Sequence, residues 1–258
     1  MSSPLAEGKR QKMQYRSVIH MIGAERSATR CKAAHDKLVP GSDAATFAQV
    51  GVDAALWDSI TTVLLAVAAI DAAAMEVFYD AKEWILFGVG RETQQRLADA
   101  LVAATVPTKA LGKMDVALRL LTGREAMVQD FKGRAAWSNA STLIDLRNHF
   151  THTTIGPVTV GATGKELGPE LAKLEHGLKG RFPHYIAFPE MQDTFPMNYL
   201  GPGLAYWSLK TAIDVIEGYY RCVGATAAIT TARQATQSLM GVTRRSASTV
   251  PSDPTPEP

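Results

Sequence analysis

Apolar residues along this chain recur at intervals of three and four, and strict alternation with a period of two is scarce. The pattern predicts a mostly helical protein. A first helix is expected from Gln11 to Leu38, stopping near Pro40-Gly41, and residues 42–55 read as irregular or a short turn of helix. A second, long helix is expected from about Ala54 to Leu86, ending near Gly88-Val89-Gly90. Its middle, Leu64 to Met75, is apolar almost all round, which places it at the centre of a bundle. Further helices follow at Arg91–Thr105, halted before Pro107, at Lys109–Leu121, ending at Gly123, and at Glu125–Lys132. The next helix is capped by Ser138, Asn139 or Ser141 and ends by Thr154, because Gly156-Pro157 follows.

Residues 155–203 are the least helical part and read as an irregular insertion. Val158 to Val160 fits a short strand, and Lys165 to Lys179 a helix interrupted by Pro169. The pairs Phe182-Pro183, Phe188-Pro189 and Phe195-Pro196 mark ordered but irregular chain. A last long helix runs from Leu204 to about Leu239 and carries Trp207, Ile213, Ile216 and Tyr220 at helical spacing. The segment 244–258, with four prolines among Ser and Thr, reads as a disordered tail, leaving 1–243 as a single helical domain.

Composition narrows the classes. With 258 residues and 46% hydrophobic residues, the chain has enough apolar material for a substantial core. A net charge of +2 excludes a uniformly basic nucleic-acid binder. The basic residues cluster at the start, where Lys9, Arg10, Lys12, Arg16, Arg26, Arg30, Lys32 and Lys37 face only Glu7, Glu25 and Asp36. That front suits RNA or another anion, or is simply the solvated face of a helix. Two distant cysteines, Cys31 and Cys222, form no CxxC and point to a reducing compartment. There is no apolar leader, and the run Ser59–Ile70 is too short to span a bilayer, so a cytoplasmic protein with no membrane partner is expected.

The stretch Leu146-Arg147-Asn148-His149-Phe150-Thr151-His152 carries the candidate chemistry. Arg147 falls on the apolar stripe of Leu143, Leu146 and Phe150, and its neighbours at three and four positions are Leu143, Ile144, Phe150 and Thr151. None is acidic, so the helix itself offers no ion pair. A guanidinium set among leucines is costly without compensation, and a phosphate is a natural partner. Asn148 and His152 share a face, whereas Arg147 and His152 are about 140° apart on an ideal helix. The length of arginine and the looseness of a last helical turn can bring them together.

A fixed cation, an amide and a titratable imidazole are suited to RNA transphosphorylation. The imidazole takes the 2′-hydroxyl proton or gives one to the leaving 5′-oxygen, and the guanidinium neutralises charge on the phosphate. With the adjacent hydroxyl as nucleophile, no metal or other cofactor is required.

These residues also carry a resemblance. Arg147, a polar residue directly after it and His152 after four intervening positions resemble the signature of the HEPN superfamily. The resemblance extends, as a pattern of helices, over about residues 50–225: an acidic apolar helix at Asp71–Trp84, a lysine-bearing helix starting Pro107-Thr108-Lys109-Ala110-Leu111-Gly112-Lys113, and an aromatic helix at Ala205–Tyr220. It implies an all-α bundle of HEPN type that pairs as a homodimer through the motif helix. It further implies a metal-independent endoribonuclease, often in a toxin or anti-phage defence system, with a possible antitoxin or defence partner. Carried over, Arg147 and His152 are the catalytic pair, Asn148 supports them, and Lys113 is a candidate RNA contact. The long insertion and the basic N-terminus depart from the family pattern.

Three other readings stand beside this one. Arg147 can pair with Asp71, Glu76, Asp80 or Glu83 for structure alone. Asp145, His149 and His152 together with Glu76, Asp80 and Glu83 have the spacing of a metal site in a bundle, but no Glu-x-x-His occurs. A non-catalytic dimerisation or nucleotide- or RNA-binding module, acting with a partner protein, would keep the same motif. Lys113 reads equally as a solvated lysine, and His149 as facing away from the cleft beside Asp145.

Overall fold

The computed structural model describes residues 16–36, 45–84, 86, 89–152, 169–182 and 195–223. The fold is all-α, with no strand among the described residues. Its helices are α1 (Arg16–Asp36), α2 (Ala45–Lys82), α3 (Arg91–Val102), α4 (Ala110–Thr122), α5 (Glu125–Lys132), α6 (Ala135–His152), α7 (Pro169–Leu178) and α8 (Pro202–Val223), with a short 3-10 turn at Met197–Tyr199.

Helix α1 packs antiparallel on α2. Ser17 meets Glu76 at one end, and Arg30 meets Asp58 at the other, at 2.6 Å. Small residues bring the backbones close: Ala24, Ser27, Ala28 and Cys31 of α1 are all buried, and a Cβ at Gly23 would stand 3.0 Å from Leu65. The Cys31 thiol donates to the Ala55 carbonyl at 3.2 Å. Helix α8 runs parallel to α2. Ser59 Oγ bonds both the amide and the carbonyl of Gly201 at its start, and the Tyr220 hydroxyl donates to Glu76 near its end.

Helix α2 touches α1, α3, α4, α6 and α8, as its apolar middle predicts. The helix enclosed on most sides is nevertheless α8, buried at most of its positions. The core joins Phe78, Leu97, Met114, Leu118, Phe131, Leu143, Leu146 and Tyr219.

Several expected boundaries move. Helix α2 begins at Ala45, not near Ala54, because helical geometry continues through a stretch whose Gly51 lowers propensity without breaking the helix. It stops at Lys82 rather than Leu86. There the Glu83 and Trp84 amides donate to the Tyr79 and Ala81 carbonyls, and Trp84 turns left-handed at φ 57°. Helix α3 ends at Val102, three residues short, with Ala104 at φ 52°. Helix α6 begins at Ala135, so Ser138, Asn139 and Ser141 lie inside it and cap nothing; the Arg134 carbonyl receives its first amides. Pro169 opens α7 instead of interrupting it, since its missing N–H is harmless in a first turn. Helix α4 ends at Gly123, at φ 60°, and α5 spans Glu125–Lys132, both as expected. The expected strand at 158–160, the end of the last helix and the tail lie outside the described residues.

Candidate functional site

Helix α6 presents the motif. Ala140, Leu143 and Leu146 are fully buried, and Phe150 packs on the core beside them. Helix α7 lies close against the same helix, a Cβ at Gly177 standing 3.2 Å from the Thr142 methyl. This packing fixes the rotation of α6 and leaves Arg147 half-buried at the edge of the apolar stripe.

No hydrogen bond or ion pair joins the Arg147 guanidinium to any other described residue. Its backbone carbonyl accepts from Thr151 Oγ1 at 3.0 Å. The carboxylates that sequence alone offered it are engaged elsewhere or are not bonded to it. Asp71 is held by Lys113 Nζ at 2.6 Å. Glu76 accepts from the Ser17 amide at 2.9 Å, the Ser17 hydroxyl at 2.8 Å and the Tyr220 hydroxyl at 3.0 Å. It thereby receives orphan amides at the start of α1, as a capping side chain would. Asp80 is fully buried, and one of its oxygens has no hydrogen-bond partner among the described residues. Glu83 is exposed.

Asn148 is half-buried beside Arg147, and its side chain makes no hydrogen bond to a described residue. His152 closes α6; its side chain lies outside the described residues. The helix stays regular to that point, which puts the two motif backbones about 7.5 Å apart along the axis and about 140° round it. His149 lies between Phe150 and Phe195, at 6.2 Å from each ring, and burial pushes its pKa below the usual histidine value. Phe195 also touches Tyr199, which meets Phe182, and Phe182 meets Trp207. The described part of the insertion therefore packs an aromatic cluster against one flank of the motif helix. Of the proline-punctuated phenylalanines, Phe182 and Phe195 lie in this cluster and Phe188 lies outside the described residues; nothing in the sequence signalled the contact with His149.

Lys113 is neither a solvated lysine nor an open cation: its side chain is 12% exposed and paired with Asp71. The basic front is partly neutralised too, Arg30 by Asp58 and Lys32 by Asp36.

A second polar group was read in the sequence only as carboxylates at metal-site spacing, without its tyrosines. Asp80, Glu76, Tyr219 and Tyr220 share the junction of α2 and α8. Burial, together with the nearby Glu76, pushes the Asp80 carboxyl up to about 7. Burial also raises Glu76, Tyr219 and Tyr220, the tyrosines being further raised by the adjacent carboxylates. The Tyr219 hydroxyl is buried without a hydrogen-bond partner among the described residues. The i, i+4 and i+7 spacing that suggested a metal stack thus reflects one carboxylate facing α1 and another turned inward. Among the described residues no three His, Cys, Asp or Glu side chains converge on a common point.

No family model, curated protein or solved structure matches the chain. The motif and its setting therefore carry the functional argument. A half-buried guanidinium and a neighbouring amide, neither bonded to another described residue, can receive an anion by charge-assisted hydrogen bonds.

Proposed function

We propose that this protein is a metal-independent endoribonuclease of HEPN type. The observation that supports the reading is the Arg147 guanidinium, half-buried on an apolar stripe and bonded to no other described residue. A cation left in that position is stabilised when a phosphate docks. Arg147 grips the scissile phosphate and neutralises the charge that builds on its oxygens. Asn148 orients the phosphate or the imidazole. His152 takes the proton of the 2′-hydroxyl and returns one to the 5′-oxygen. The 2′-oxygen–phosphorus bond forms as the phosphorus–5′-oxygen bond breaks, leaving a 2′,3′-cyclic phosphate and a 5′-hydroxyl. Lys113, held by Asp71, is left out of the RNA contacts.

In this reading two copies meet through α6, so that the motifs share a cleft. The setting is cytoplasmic, in bacterial defence or a toxin-type system under a partner's control. Incubation with total RNA in EDTA tests it. Fragments with 2′,3′-cyclic phosphate ends are expected, and intact RNA at every protein concentration, with and without candidate partners, contradicts it.

A further inference from the structure

Few of the described lysines and arginines are withdrawn from solvent. Lys32, Lys113 and Lys132 are half-buried, and each faces a carboxylate, that of Asp36, Asp71 and Asp115 respectively. Two half-buried arginines remain, Arg147 and Arg181. No hydrogen bond or ion pair joins either guanidinium to another described residue. Every other described arginine is exposed.

Local backbone holds Arg181 in place. Gly180 turns left-handed at φ 73°, and the Arg181 amide donates to the Leu178 carbonyl at 3.2 Å. This turn comes four positions after Gly177, which packs on Thr142 of the motif helix. The next residue, Phe182, opens a line of rings that leads back to the motif. Centroids step 5.9 Å from Phe182 to Tyr199, 5.7 Å on to Phe195 and 6.2 Å on to His149. Phe182 and Tyr199 are buried, whereas Phe195 and His149 are half-buried and keep part of their surface in solvent.

On α6, Arg147, Asn148 and His149 follow one another at steps of about 100°, and Leu143, Leu146 and Phe150 fill the remaining arc. The outward side of the helix therefore passes from guanidinium to amide to ring without crossing the core face. Asp145, exposed one turn before His149, is a carboxylate on that side and confines an anion to the last turns of the helix. Burial holds the His149 pKa below the usual histidine value, so near neutral pH it offers a flat ring and not a second charge.

We infer that this flank carries single-stranded RNA away from the scissile phosphate, with a base lying on the Phe195 ring beside His149 and a further phosphate held by Arg181. This path rests on the reading of Arg147 as a phosphate grip and adds that the RNA is unpaired. Cation, ring and cation succeed one another along the flank as phosphate, base and phosphate do along a strand. Stacked nucleotides rise about 3.4 Å each, so roughly five of them cover the line of rings. An unpaired base has a face free to lie on a ring, whereas a base inside a duplex has both faces covered.

Binding to the full chain of a fluorescent RNA of about 12 nucleotides, methylated at every 2′-oxygen so that it is not cut, tests the path. Anisotropy is read from about 50 to 200 mM salt. Arg181→Met is expected to weaken binding at least fivefold. It should also flatten the slope of log affinity against log salt by about 0.7, the value of one phosphate contact on a single strand. Phe195→Leu is expected to weaken binding at least threefold with the slope unchanged, as loss of a stacked base would. The same strand annealed to its complement should bind at least tenfold more weakly. Arg96→Met, exposed on α3, is the charge control and should bind as wild type does. All three variants should keep wild-type helicity and Tm.

Absence of binding overturns the inference. So does wild-type affinity and slope in Arg181→Met, wild-type affinity in Phe195→Leu, equal binding of duplex and single strand, or a loss in Arg96→Met as large as that in Arg181→Met. The expected binding pattern without cleavage of unmodified RNA would support this flank and contradict the nuclease chemistry. Cleavage in chelator with an unaffected Arg181→Met would do the reverse.

Discussion

Lys113 Nζ stands 2.6 Å from Asp71 Oδ1 and occupies one of the carboxylates that Arg147 could have used. The pairing joins α4 to α2 and leaves the motif arginine without a structural counter-ion among the described residues. Breaking it by Asp71→Asn strands a lysine that is 12% exposed. Asp71 itself is partly solvated, so the expected loss is about 1 kcal/mol, less than for a fully buried pair. The double variant Asp71→Asn/Lys113→Met should recover most of it. A urea-denaturation double-mutant cycle reads the coupling; single losses that simply add would show that the pair contributes nothing.

Arg147→Met should fold as well as wild type. No described group is orphaned when the guanidinium goes, and an apolar side chain suits the stripe. Thermal unfolding is expected within about 1 kcal/mol of wild type, in either direction. A loss above about 3 kcal/mol would mark Arg147 as half of a buried ion pair.

How far the chain could be read in advance follows from where each determinant lies. Gly123 ends α4 and Glu125–Lys132 forms α5 because both signals are local. Arg147 on an apolar stripe was equally legible, being a matter of period. Its lack of a partner among the described residues was not, because that depends on Lys113 reaching Asp71 across 42 positions and Ser17 reaching Glu76 across 59. The left-handed turn at Trp84 carries no glycine to announce it. The contact of His149 with Phe195 joins the motif to the insertion and has no local signature.

Asp80 should make stability depend on pH. Its carboxyl, near Glu76 on its own helix and Tyr219 on α8, is raised to about 7 in the folded state, against about 4 when unfolded. The folded chain therefore holds the proton more tightly. The stabilisation is complete below about pH 4 and is lost as pH rises through 7. Asp80→Asn keeps the neutral shape and should stabilise the protein at pH 8 by on the order of 2 kcal/mol, with little change at pH 4.5. Equal effects at both pH values would show that Asp80 does not titrate in this window.

Two glycines should respond oppositely to alanine. Both lie inside helices, so each substitution gains about 1 kcal/mol of helix propensity. At Gly218 the new Cβ would stand 2.7 Å from Phe131 Cε2, and that fully buried ring, edge-on to Trp137, has nowhere to go. Gly218→Ala should destabilise by about 1–3 kcal/mol. At Gly23 the neighbour is the Leu65 Cδ1 tip at 3.0 Å, the end of a flexible, half-buried side chain. Gly23→Ala should be neutral or stabilising. Chemical denaturation of the two variants compares them, and equal losses would contradict the packing described.

The central claim, that the Arg147 guanidinium, bonded to no other described residue, holds RNA phosphate beside the His152 imidazole, is tested most directly by initial rates of RNA cleavage in chelator. Wild type, Arg147→Met and His152→Ala are compared at matched concentration, after unfolding curves show that all three are folded. Each variant is expected to lose at least a hundredfold in rate. Folded variants that cleave as fast as wild type would contradict the account.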